Sequence, residues 1–230
     1  MKENNVLTPE IYASYPYDGK ILEYYQGVFE SVYIVLHPFY RGVTLNLSTE
    51  SFEDWPEDEA LRQGCEIIPW KKVIELTDFE NISQIDIGLR ALTRDLDLNE
   101  RNKNYASMLE KLRCETGIVY PDETRIISPF LTYPILSSIQ KQGYSKLWLG
   151  EEFSYIPPTL HNIEELLVSQ QTYHCNYTED HQLLFATHWD SHCTFLCSSK
   201  KTIDQILESY PFEGFFCTPQ TEVYWGLHDI

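Results

Sequence analysis

No glycine-rich phosphate loop runs through this sequence. Its 230 residues include only ten glycines. None falls in a GxxxxGK(S/T) or GxGxxG arrangement, so the standard nucleotide-cradling loops are excluded. HExxH, GxSxG and the EF-hand calcium loop are missing as well, which removes the most readable hydrolase and calcium-binding classes. The six cysteines (Cys65, Cys114, Cys175, Cys193, Cys197, Cys217) form no CxxC pair and are too sparse to staple a small scaffold. They read as reduced thiols, most of them buried as small hydrophobes. No apolar run approaches the ~18 residues of a spanning helix. The opening "MKENNVLTPEIYASYPYDGK" has no signal-peptide core, so the expected location is cytoplasmic.

Basic side chains are also scarce. Seventeen lysines and arginines face 35 acids, for a net charge of −18. Such a chain repels phosphate backbones and anionic lipid at long range, which disfavours nucleic acid and membrane surfaces as partners. The charge is uneven: net −11 over residues 1–100, +1 over 101–160 and −8 over 161–230. A near-neutral middle between acidic ends predicts that the central segment is the more interior one. Hydrophobic content of 43% with 23% charged residues is ordinary for a folded protein.

What is there reads as an α+β fold, a mainly antiparallel sheet packed against several amphipathic helices. The chain is expected to form a single domain over 1–230, with an acidic loop near 50–60 as a soft internal boundary. "SVYIVLHPFY" is a β-branched and aromatic strand that stops at Pro38. "ESFEDWPEDEALRQG" reads as an exposed loop passing into a short helix. Ile82, Ile85, Leu89, Leu92 and Leu96 draw one helical stripe, and Tyr105, Met108, Leu109 and Leu112 draw a second, packed against the first. "SPFLTYPILSSIQKQG" announces a helix starting at Pro129 or Pro134 and closing at Gly143. "KLWLG" looks like a buried strand, and Asn162 with Glu165 like a capped helix start. Two strands, a helix with Ile203, Ile206, Leu207 and Tyr210 on one face, and an extended end complete the pattern. Strands and helices do not alternate regularly, which favours antiparallel pairing.

The chemically suggestive stretch is "LLFATHWDSHCTFLC", Leu183 to Cys197. Six of the seven histidines and four of the six cysteines fall in the last 70 residues. Were 188–192 one extended strand, His188, Asp190 and His192 would share a face, a spacing from which zinc or another divalent metal could draw ligands, with Cys193 beside them. The competing account is a hairpin whose Asp190–Ser191 pair supplies turn chemistry and sends the two imidazoles apart. The hairpin is the expected outcome, and with it no cofactor.

Three other features invite binding. "SSKK" places Ser198, Ser199, Lys200 and Lys201 at a helix start, a candidate phosphate or carboxylate site. The acids Glu50, Glu53, Asp54, Glu57, Asp58 and Glu59 make a candidate face for a basic protein partner. Tyrosines near the start, Tyr15, Tyr17, Tyr24 and Tyr25, could furnish a recognition surface.

"VLHPFY", "IPWKKVIELTDFENISQIDIGLRAL" and "FATHWDSHCTFLCSSKKTIDQIL…FEGFFC" resemble, in order and spacing, a family of Bacillus-type bacterial proteins known as domain of unknown function 2711. The resemblance implies a cytoplasmic bacterial protein and transfers no functional residue. The expectation is therefore a non-enzymatic binding or interaction protein whose acidic surface meets a basic partner, as inhibitor and immunity proteins do. The alternative is a metal-dependent hydrolase built on His188, Asp190 and His192.

Overall fold

A computed structural model describes residues 10–47, 55–93, 99–121, 126–153 and 155–228. The fold is α+β, with a seven-stranded and a three-stranded sheet, both antiparallel. The chain divides into two compact units, Met1–His37 with Glu123–Val223, and Pro38–Asp122 with Tyr224–Ile230. Pro38 therefore does more than end a strand. Strand β1 (Ser31–Leu36) belongs to the large sheet and β2 (Phe39–Gly42) to the small one.

In the first unit the strand order is β10 (Gly214–Phe216), β1, β9 (Cys193–Ser198), β8 (Leu184–Ala186), β7 (Cys175–Tyr177), β5 (Lys146–Gly150) and β6 (Thr159–Asn162). Alternation sorts the side chains onto two faces. Tyr33, Val35, Leu147, Leu149, Phe185 and Leu196 join one core with residues of α6 (Pro129–Lys141), α7 (Ile163–Ser169) and α8 (Lys200–Ser209). Their burial removes apolar surface worth roughly 1.5–3 kcal/mol per side chain. Register puts Ile34, Phe195, Ala186 and Cys175 on the opposite face. There Tyr15 stacks on Phe195 at 4.4 Å and Tyr12 meets Tyr177 at 5.8 Å. Both faces of this sheet are thus covered, which is why the burial pattern of β7, β8 and β9 is continuous rather than alternating.

The second unit holds β2 between β3 (Cys65–Ile68) and β4 (Ile118–Val119), with α2 (Asp58–Gly64), α3 (Trp70–Leu76), α4 (Ile82–Thr93) and α5 (Glu100–Thr116). Helices α4 and α5 pack closely. A Cβ on Gly88 would lie 3.0 Å from Leu109 Cδ1 and 3.1 Å from the Tyr105 carbonyl oxygen, so a larger residue there would push the two helices apart by a few tenths of an ångström. Asn99 caps α5 by accepting from the Asn102 N–H, and Gly117, at φ +69°, closes it. The expectation of an interior central segment fails for α5, where Asn102, Leu109 and Leu112 are the buried residues, and holds for α6, where nine residues are buried. Helix α6 begins at Pro129, the first of the two starts offered, and carries Pro134 inside it.

Candidate functional site

The hairpin forms as expected, β8 pairing with β9 through Leu184↔Cys197, Phe185↔Leu196 and Ala186↔Phe195. Between them the Ser191 N–H donates to the His188 carbonyl at 3.0 Å, which closes a turn over Trp189–Asp190. His188 Nδ1–H donates to Asp190 Oδ1, so two of the four suggested residues do converge. His192 goes elsewhere. It is buried beside His37, whose own ring is pushed down to about 3 by burial and by His192. His37 Nε2 bonds Thr194 Oγ1 at 2.8 Å, and Thr194 Oγ1 bonds Thr187 Oγ1 at 2.7 Å, an internal polar thread between neutral groups. Cys193 is buried, its N–H donating to Ser191 Oγ at 3.2 Å.

The group that His188 faces is Glu152, which follows β5 by two residues. Continued alternation from Trp148 and Gly150 points Glu152 to the face of Cys175 and Ala186. Its side chain is 0% exposed. Oε1 accepts from the Trp189 N–H at 3.3 Å and lies 3.5 Å from His174 Nδ1. Oε2 lies 3.8 Å from His188 Nε2 and makes no hydrogen bond. Burial raises this carboxyl to about 7, against the opposing pull of His188 and the Trp189 N–H. His174 lies 3.3 Å from the Thr187 carbonyl, which only accepts, so Nδ1 carries its hydrogen. Burial lowers the pKa of this ring.

Aromatic rings surround His188: Tyr15 at 5.5 Å, Tyr17 at 5.6 Å, Trp189 at 5.8 Å and Phe153 at 6.5 Å between centroids. Tyr17 and Trp189 reach solvent, Trp189 being 55% exposed. Tyr17, Phe153 and Tyr155 stack in a row, at 5.7 and 5.5 Å. The site is a buried carboxyl beside two histidines, one of which, His188, is paired with Asp190 and ringed by aromatic side chains.

A family model described as a protein of unknown function, DUF2711, matches residues 17–227. The chain belongs to this family. No curated protein and no solved structure gives a significant match to it. In this DUF2711 protein the other suggested sites have local accounts. At the start of α8, Ser199 caps by accepting from the Thr202 N–H at 3.1 Å, and the Lys200 N–H donates to Glu30 Oε2 at 3.1 Å. The anion at that helix start is the protein's own carboxylate. Lys200 Nζ reaches both oxygens of Asp204 at 2.9 Å, and Ser198 Oγ donates to the Gln182 carbonyl at 2.7 Å. Lys201 is exposed. Of the acidic face, Glu50, Glu53 and Asp54 lie outside the described residues. Glu57 is the N-cap residue of α2, with Asp58 and Glu59 in its first turn, where negative charge complements the helix dipole.

Sequence reasoning missed Glu152, His174 and Phe153. One signal was available. From Leu147 to Ser199 the DUF2711 chain carries seven acids and not one lysine or arginine. A glutamate following a buried strand there has no basic side chain nearby in sequence to pair with. Among the described residues, no three histidine, cysteine, aspartate or glutamate side chains are placed to hold a metal ion. Among the same residues, no helix is long and apolar enough to cross a membrane.

Proposed function

We propose that this is a binding protein that recognises a cationic group, a protonated amine or guanidinium such as the basic side chain of a partner protein, at Glu152. The observation that carries this reading is the sealed Oε2 of that residue, which makes no hydrogen bond and has only the His188 ring, 3.8 Å away, beside it. A desolvated carboxylate without a donor costs several kcal/mol, and a cationic N–H donor arriving at Oε2 offsets that cost. The half-exposed rings of Tyr17 and Trp189 beside His188 favour the same class of ligand, because aromatic faces attract cations. The basic partner expected from the overall charge is retained, with its focus moved from residues 50–59 to Glu152.

Ethylguanidinium is a suitable probe, followed by calorimetry or by Trp189 fluorescence. Saturable binding at pH 8 is expected, at least tenfold weaker in Glu152→Gln, and declining as the pH falls below about 7 and the carboxyl takes up its proton. Equal binding by wild type and Glu152→Gln would remove the proposal. The metal-dependent hydrolase has no comparable support, since His192 is buried beside His37 rather than with Glu152.

A further inference from the structure

Strand β6 is the outermost strand of the large sheet, next to β5. Its ladder can be phased. The Ile163 N–H donates to the Ser145 carbonyl at 2.9 Å, which makes 163↔145 a hydrogen-bonded pair one step beyond Lys146↔Asn162. Hydrogen-bonded and non-hydrogen-bonded pairs alternate in antiparallel sheets. His161↔Leu147 and Thr159↔Leu149 are therefore bonded pairs, and Leu160 turns both its N–H and its C=O away from β5, toward the edge. An edge of this kind is a template for another strand.

The surroundings of that edge select the strand. A cleft of about 230 Å³ lies beside it, lined among others by Glu151, Ile156, Thr159, His161 and Tyr173. Glu151 Oε2 accepts from the nearby Tyr155 N–H at 2.9 Å. Glu164 and Glu165 follow β6 immediately, in the first turn of α7. No lysine or arginine occurs between Lys146 and Lys200; the residues lining the cleft include one imidazole, His161, and no lysine or arginine. Large apolar side chains stand exposed around the edge: Tyr155 at 76%, Ile156 at 60% and Val168 at 88%. Aromatic and aliphatic anchors with depleted positive charge on one side suit a partner that supplies the positive charge.

We infer that β6 is a docking edge for an extended basic segment of a partner protein, which adds as a strand beside Leu160 and places a lysine or arginine side chain in the cleft at Glu151. This rests on the reading of the protein as a receptor for cationic groups, and it names the partner as a peptide chain rather than a free amine. Leu160 is also the position where the edge can be altered without touching the β5–β6 ladder, because its N–H lies on the outer side.

The test uses a blocked octapeptide in which lysine alternates with threonine, and two versions of it N-methylated on one or the other alternate set of residues. The parent peptide is expected to bind wild-type protein, with affinity falling as salt rises. One methylated version should bind like the parent and the other at least tenfold more weakly, because only one set faces β6. Leu160→Pro, checked for an unchanged melting temperature, should weaken the parent peptide at least tenfold and leave ethylguanidinium binding unaltered. Equal binding of the two methylated peptides to wild type overturns the docking edge whether or not Leu160→Pro folds. Ethylguanidinium binding that depends on Glu152, with no edge-dependent peptide binding, overturns the edge and leaves the Glu152 receptor standing. Edge-dependent peptide binding without ethylguanidinium binding supports the edge and overturns the Glu152 receptor.

Discussion

Asp86 and Glu152 are both sealed from solvent, one in each unit of the chain, and their surroundings differ in kind. Asp86 accepts from Arg90 Nε at 3.0 Å one helical turn away, and that guanidinium lies 4.9 Å from the ring centre of Tyr224. The C-terminal segment closes over the pair so tightly that a Cβ on Gly226 would fall 2.2 Å from Asp86 Oδ2. Glu152 has two histidines and a backbone N–H for company, and one of its oxygens has no hydrogen-bond donor. A buried carboxylate that serves the fold is paired within its own helix and packed over. Glu152 has no such partner in its own element, and one of its oxygens is left short of a donor.

The largest expected effect falls on the paired site. Asp86→Ala leaves Arg90 buried without its carboxylate and should cost about 3–5 kcal/mol of unfolding free energy, measured by urea denaturation. Adding Arg90→Met should recover most of it. A loss under 1 kcal/mol for the single variant would dissolve the contrast between the two acids.

Glu152 should behave with the opposite sign. Its folded-state pKa, about 7, lies above the ordinary 4.5, so the folded chain holds this proton more tightly than the unfolded chain does. The stability tied to it is complete below about pH 4.5 and is lost as the pH rises through about 7. Glutamine mimics the protonated form. Glu152→Gln should therefore match wild type at pH 4 and exceed it at pH 8, by on the order of 3 kcal/mol at most. A wild type that outlasts the variant at pH 8 without added ligand would contradict the unpaired state of Oε2.

Gly226→Ala sharpens the packing half of the comparison. The added methyl must displace Asp86 or the chain around Gly226, and overpacking of this kind costs about 1–3 kcal/mol. Thermal unfolding should show the loss, while ethylguanidinium binding stays as in wild type. The smallest effect belongs to α2. Reversing Glu57, Asp58 or Glu59 to lysine places positive charge at a helix start and should cost about 0.3–1 kcal/mol each, again without changing binding at Glu152.

Much of this architecture was legible in the residues. The stripe from Ile82 to Leu92 is α4, "KLWLG" is β5, "SSKK" opens α8, and the β8–β9 hairpin falls where two apolar runs flank Asp190. The site was only half legible. The turn chemistry at Asp190–Ser191 foretold that His188 and His192 would part, but nothing local says that His188 will face Glu152 and His192 be buried beside His37. Glu152 lies 37 residues from the Trp189 N–H that it accepts, and they meet because β5 pairs with β7 as well as with its sequence neighbour β6.

By itself, then, the sequence determined what is local or additive: the periodicities that make helices and strands, the caps and turns that end them, and a net charge of −18 that repels other anions at long range. Tertiary structure alone decided which acid lost its water and left one oxygen without a hydrogen-bond donor. Desolvation depends on every element packed around a group, and strand order, which no short window of sequence specifies, is what brought His174 and the 188–190 turn to Glu152.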